Sequence, residues 1–237
     1  MADNAAEYYK DYWTGAEEER DKRQYYSRLY DRVRDRIQVD PGWKILDVAG
    51  RNGMLMRYLG IRQADIFDIS ESGLEAARKA GYHGIYGDIE KRFPMPEASY
   101  DAAFLFEVLE HLHSPNRTLA EVHHVLKPGG VLYVGQPNMR ADGTHHVRRY
   151  YLKGLLDDLD KAGFAPEWID HVPAYAMRDS IWSDILKNPS WVRKAIQSVN
   201  LTLSFLPHSV RYRMAQVLPD RFALILLVKA VKKRAGS

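Results

Sequence analysis

The chain has 237 residues, 46% hydrophobic and 27% charged, enough to bury a sizeable core as one domain with an appendage. The absence of cysteine excludes disulfides, a thiolate metal site and a cysteine nucleophile, and it suits a reducing, cytoplasmic location. A net charge of +3 gives no argument for a nucleic-acid partner, the polar N-terminus lacks a signal-peptide core, and no run reaches the ~18 apolar residues of a membrane span.

Residues 1–40 read as an N-terminal helical cap. Tyr8, Tyr9, Tyr12 and Trp13 cluster near its start, and Tyr25, Tyr26, Leu29, Tyr30, Val33 and Ile37 recur at helical spacing among charges. These residues either pack an amphipathic helix on the core or line a pocket. The organising stretch follows, Lys44 to Gly53, K-I-L-D-V-A-G-R-N-G. Ile45, Leu46 and Val48 have strand composition, Asp47 stands at the strand's end, and Gly50 and Gly53 make a tight turn into a helix opening at Met54. A buried strand, a glycine turn and a helix form the front of a nucleotide-binding βαβ unit, because glycine lets backbone approach a ligand closely. The spacing is not that of the dinucleotide fingerprint G-x-G-x-x-G.

Ala64–Ile69 reads as a second strand, with Asp68 near its end and Ser70 as the N-cap of the next helix, without a capping box. Leu74–Lys79 is helical and Gly81 ends it; His83–Tyr86 is a third strand, closed by Gly87-Asp88. Asp101–Phe106 is the fourth strand, Thr118–Leu126 a helix, Lys127-Pro128-Gly129-Gly130 a turn, and Val131–Val134 a fifth strand ending at Gln136-Pro137-Asn138. Tyr150–Ala162 is helical, and Phe164–Val172 is the sixth strand. Residues 173–220 break the rhythm and read as a helical insertion carrying Trp182 and Trp191, before an apolar closing strand, Phe222–Val228. Lys229, Lys232, Lys233 and Arg234 form a basic tail that is either solvated or applied to an acidic surface. The strand–helix alternation predicts an α/β, doubly wound parallel sheet over residues 41–172, with 173–220 as a lid and 221–237 as closing strand and tail.

In this order the motifs resemble those of class I S-adenosylmethionine-dependent methyltransferases, closest to the small-molecule type. I-L-D-V-A-G-R-N-G is similar to their first motif, Gly87-Asp88-Ile89 to their G-D-hydrophobic segment, and Y-D-A-A-F-L-F-E-V-L-E-H-L and L-K-P-G-G-V-L-Y-V to their fourth and fifth strand motifs. The resemblance implies a Rossmann-like seven-stranded sheet with an antiparallel last strand, and S-adenosyl-L-methionine as cofactor. It implies cofactor contacts from Asp47, Ala49, Gly50, Arg51, Gly53, Asp68, Ile69, Asp88, Ile89 and Phe106. Asp68 would hold the ribose hydroxyls, Asp88 the adenine amine with Ile89 on the ring, the glycine turn the methionine portion, and Phe106 would close that side. Arg51 departs from the pattern, since relatives commonly have glycine there, and a positive φ would disfavour arginine.

A proton acceptor is expected among His111, His145 and His146. Glu107, Glu110 and His111 resemble the E-x-x-E-H ligand set of ubiquinone-biosynthesis O-methyltransferases and small-RNA 2′-O-methyltransferases, where Mg²⁺ would suit oxygen ligands. E-V-L-E-H also occurs in members without a metal, and none is expected here. The expectation is methyl transfer to oxygen or nitrogen of a small organic acceptor, and the aromatic content of the insertion suggests an apolar or aromatic one. Its rivals are a non-catalytic relative with a protein-interaction role, in which Arg51 blocks the pocket, and an RNA methyltransferase. The weak net charge counts against RNA.

Overall fold

Strands of a parallel sheet are covered on both faces, so their residues are apolar in both directions, and the chain alternates two sets of buried side chains. On one face lie Ile45, Ile66, Phe104 and Tyr133; on the other lie Leu46, Val48, Phe67, Ala103, Leu105, Leu132 and Val134. The computed structural model describes residues 34, 36–138, 147–148, 150–173 and 223–233. Its strands are β1 (Ile45–Val48), β2 (Asp65–Asp68), β3 (His83–Tyr86), β4 (Tyr100–Phe106), β5 (Leu126–Pro137), β6 (Phe164–Pro173) and β7 (Ala223–Lys232). They form one seven-stranded sheet in the order β3-β2-β1-β4-β5-β7-β6. β1 to β5 pair in parallel, and β7 lies between β5 and β6, antiparallel to both. The expected sheet and its antiparallel last strand are therefore present.

Four described helices flank it: α1 (Met54–Leu59), α2 (Glu71–Lys79), α3 (Pro115–Val125) and α4 (Leu152–Lys161). α1 and α2 bury Leu55, Met56, Leu74 and Ala77 on the first face; α3 and α4 bury Leu119, Val122, Leu155 and Leu159 on the second. α3 begins three residues before the expected Thr118, because Pro115 suits the first helical turn, where no N–H is needed. α4 begins after Tyr150, which instead bridges Asn138 in parallel.

Two expectations are corrected. Lys127–Gly130 does not precede β5 as a turn; the strand begins at Leu126 and runs through it, with Gly129 at φ 77 and a register shift between Tyr100 and Ala102. Through Lys233 the lysines of the basic tail are paired within the chain. Lys229 pairs with Glu167 at 2.7 Å, Lys232 Nζ donates to the carbonyls of His123 and Leu126 at 2.7 Å, and Lys233 pairs with Asp160 at 2.5 Å. These contacts carry β7 four residues beyond Val228, to Lys232, and fasten it to β6, α3 and α4.

Most of the N-terminal cap, including its tyrosines, lies outside the described residues. So do Trp182 and Trp191 of the insertion, and Phe222, Arg234, His145 and His146. Where the cap's end is described, Arg36 pairs with Asp170 at 2.9 Å, and the Tyr133 hydroxyl donates to the Gln38 carbonyl at 2.8 Å.

Candidate cofactor and acceptor site

The chain order of strands reverses between β1 and β4, and at such a switch point the loops leaving the carboxyl ends diverge and open a crevice. Asp47, in register with Ile66 of β2 and Phe104 of β4, is one residue from the end of β1 and almost fully buried. Its Oδ2 has no hydrogen-bond partner among the described residues. Gly50 folds back over this carboxyl group so closely that a Cβ would overlap it. The turn takes a left-handed backbone at Ala49 (φ 57), Arg51 (φ 49) and Gly53 (φ 67). Gly53 is required twice, since a Cβ there would also come within 2.9 Å of the Tyr82 ring.

Arg51 thus has the positive φ that disfavours arginine, and one compensation is visible. Its N–H donates to Asp68 Oδ2 at 2.9 Å, while Ser70 N–H donates to Asp68 Oδ1 at 2.7 Å. Asp68 therefore stitches the first glycine turn to the start of α2, where Ser70 Oγ in turn accepts from Gly73 N–H. A carboxylate offers about four acceptor positions, so each oxygen keeps capacity for a ligand hydroxyl. Burial pushes the Asp68 carboxyl up, opposed by the amides of Ser70, Arg51 and Ile69 and by the Arg51 guanidinium. Asp47 has no such donors: burial, then the Asp68 charge, push it up to about 8.

At the end of β3, Gly87 leaves room for the Phe67 ring, which a Cβ would approach to 2.6 Å. Asp88 is half-buried; its Oδ1 accepts from Glu90 N–H at 2.9 Å, and Lys91 stands 3.4 Å from Oδ2. Ile89 packs against the core, and its carbonyl accepts from the Thr118 hydroxyl at 2.9 Å. Phe106, ending β4, stacks with Phe104 at 6.2 Å and fills the space that Gly135 leaves by lacking a side chain. The expected cofactor residues thus lie at or just past the carboxyl ends of β1, β2, β3 and β4.

The segment expected to face an acceptor, after β4, is built differently. Glu107 has a left-handed backbone (φ 54) and donates its N–H to the Gly135 carbonyl at 2.7 Å. A single 3-10 turn, Leu109–His111, follows. Glu107, Glu110 and His111 therefore do not share one helical turn, and among the described residues no group of three or more His, Asp or Glu is arranged around a cation. Glu110 is buried; Gln136 Nε2 donates to its Oε2 at 3.0 Å, and His111 Nε2 stands 3.7 Å from its Oε1. Gln136 was not singled out in the sequence, although a glutamine within the apolar run V-L-Y-V-G-Q-P was the available signal. A cavity of about 390 Å³ lined by Lys44, Asp65, His83, Met95 and Tyr100 lies elsewhere, at the amino ends of β1 to β4.

Residues 46–134 match a family model described as a methyltransferase domain. A malonyl-[acyl-carrier protein] O-methyltransferase of Serratia marcescens is 29% identical over 125 residues, covering 46% of this chain and 49% of its own. A 27-O-demethylrifamycin SV methyltransferase of Amycolatopsis mediterranei is 24% identical over 210 residues, 77% of this chain and 72% of that one. The chain thus spans about half the length of the first of these relatives. The crystal structure of the [4+2]-cyclase SpnF shares the fold at TM-score 0.63 and 21% identity, covering 90% of this chain and 82% of that one. The matched methyltransferase domain runs from β1 into β5, through the turn and the strand ends that bury Asp47 and Asp68, and over these residues the chain is similar to the class I S-adenosylmethionine-dependent methyltransferases.

Proposed function

We propose that the protein transfers a methyl group from S-adenosylmethionine to oxygen or nitrogen of a small organic acceptor in the cytoplasm. Oxygen is the atom named for both curated relatives described above. The observation that carries this reading is the strand-order reversal between β1 and β4, where the buried acids Asp47 and Asp68 flank a left-handed turn and Asp88 ends the neighbouring β3 segment. A cation rich in hydrogen-bond donors suits these acids, and the unsatisfied Asp47 oxygen favours such a ligand.

In this reading Asp68, beside Ile69, accepts from the ribose hydroxyls, and Asp88 accepts from the adenine amine while Ile89 packs on the ring. Asp47 and the turn from Ala49 through Gly50 and Arg51 to Gly53 receive the amino-acid tail, and Phe106 closes that side. The cofactor supplies an electrophilic methyl on a positively charged sulfur. The chain's task is to align the acceptor and take its proton, with His111, His145 or His146 as base. The insertion at 173–220 forms the lid, and its Trp182 and Trp191 suit an apolar or aromatic acceptor.

Calorimetric titration with S-adenosylmethionine and with its demethylated product, with and without EDTA, tests the site. Micromolar binding that survives EDTA is expected. Absence of binding in both conditions would instead favour a non-catalytic relative, the reading to which the strained Arg51 backbone lends support. RNA binding that weakens steeply with salt would point to the RNA methyltransferase.

A further inference from the structure

We infer that Asp47 and Asp68 share a single proton in the cofactor-free protein, that Asp47 gives it up when the sulfonium cofactor binds, and that Asp47 thereby sets the preference for cofactor over product. This rests on the cofactor reading above and adds to it a specificity role for Asp47.

The argument starts from an asymmetry between two neighbouring buried acids. Asp68 is held by two backbone N–H groups at 2.7 and 2.9 Å, within the field of the Arg51 guanidinium, which is an environment for a carboxylate. Asp47 is as deeply buried, yet its Oδ2 meets no donor among the described residues, and the charge that acts on it is that of Asp68. Two like charges cannot both be kept out of water at close range, so the proton resides on the member without donors.

The groups facing Asp47 do not change this. Tyr82, from the segment before β3, feels the Asp47 charge, but its hydroxyl is committed to the Ile61 carbonyl at 2.8 Å. Arg57 of α1 acts on Tyr82, and Arg51 of the turn acts on Asp68. Gly50 presses on the carboxyl group without a side chain to offer.

The cofactor bears a sulfonium, an ammonium and a carboxylate, and is a net cation. Its demethylated product lacks the sulfonium charge. A net cation in the crevice favours ionised Asp47, so the carboxylic acid becomes a carboxylate and its proton passes to the buffer. When the neutral product remains, the proton returns and the product is held less tightly. With the Asp47 carboxyl at about 8, it is mostly protonated at pH 7, so binding releases between about half and one proton. The ratio of cofactor to product affinity rises about five- to fifty-fold from pH 6 to pH 8 and levels above that.

The test is calorimetry at pH 7 in buffers of different ionisation enthalpy, with cofactor and product, on wild type and Asp47→Asn. An α-amino group titrates near pH 8 in any case. The cofactor's own amine therefore contributes a background, and the asparagine variant isolates Asp47 from it. Wild type is expected to release more protons with cofactor than with product, and D47N to release equal numbers with both and to lose the pH-dependent preference. Binding by wild type with no difference between the two ligands, or an unchanged difference in D47N, overturns the inference while leaving the cofactor site intact. Failure of wild type to bind either ligand overturns the cofactor reading itself, and the inference with it. If D47N does not fold, the wild-type affinity ratio from pH 6 to pH 9 decides: a rise supports the inference and a flat ratio overturns it.

Discussion

Two aspartates of β2, at its first and last positions, sit at opposite edges of one sheet and have opposite fates. Asp65, at the amino end, is surrounded by donors: the Tyr100 hydroxyl at 2.5 Å, His83 Nδ1 at 3.0 Å and Lys44 Nζ at 3.9 Å. Lys44 also lies over the Tyr100 ring at 4.6 Å. At the carboxyl end, Asp68 relies on backbone amides of strained or capping residues, and neighbouring Asp47 has an oxygen with no donor at all among the described residues. The amino edge, although it has a cavity, closes its own electrostatic circuit. At the carboxyl edge, left-handed backbone at Ala49, Arg51 and Glu107 and an unsatisfied buried acid persist side by side, and such costs are retained where a ligand can offset them.

The largest effect is expected from Asp68→Ala. Two backbone N–H groups lose a charged acceptor, each contact contributing ~1.5–3 kcal/mol, so cofactor affinity falls ten-fold or more and the protein loses about 3 kcal/mol of stability. Calorimetry and denaturant melts check this, and unchanged affinity would remove Asp68 from the site. Its counterpart Asp65→Ala sharpens the contrast. It leaves the Tyr100 hydroxyl without its acceptor and costs about 1–2 kcal/mol, with cofactor affinity unchanged. A Kd shift above three-fold in D65A would break the division between the two edges.

A pH effect follows in size. The Asp47 carboxyl is raised from 3.8 to about 8, so above its unfolded value the native state must hold a proton that the unfolded chain releases. That penalty on the cofactor-free protein is absent below about pH 4, grows through the interval to about pH 8, and is constant beyond. Asp47→Asn removes it, so the melting temperature of the variant relative to wild type is expected to climb between pH 5 and pH 8. A pH-independent difference would show that Asp47 is already ionised. Smallest is Arg51→Gly. Relief of the left-handed strain, ~1–2 kcal/mol, is partly offset by the extra freedom of glycine in the unfolded chain, leaving a gain of up to about 1 kcal/mol. Melting of R51G in denaturant measures it, and a loss of stability would mean that the guanidinium's interactions outweigh the strain.

Much of this molecule was legible in its sequence. The edges of β1, β2 and β4 fall within a residue of where apolar runs meet Gly, Pro or acidic residues, because a strand buried on both faces has few polar positions to blur its ends. Boundaries failed where a distant partner decides them. Lys229 and Lys232 look like tail until Glu167 and the carbonyls of His123 and Leu126 receive them, and Lys127–Gly130 looks like a turn until β4 pairs across it.

The sequence by itself determined the ordered strand ends, the glycine turn and the acids carried there, since these depend on local periodicity and backbone freedom. Tertiary structure alone decided how those acids differ. Asp47, Asp68 and Asp88 are alike as letters at strand ends. Packing leaves Asp88 half-buried, brings buried Asp68 an amide from the glycine turn beside that of its own Ser70, and encloses Asp47 against Gly50 with an oxygen unanswered. Desolvation is set by the packed sheet and helices around each acid, and the second Asp68 amide by a turn 17 residues away, so the charge state of each acid is a property of the fold.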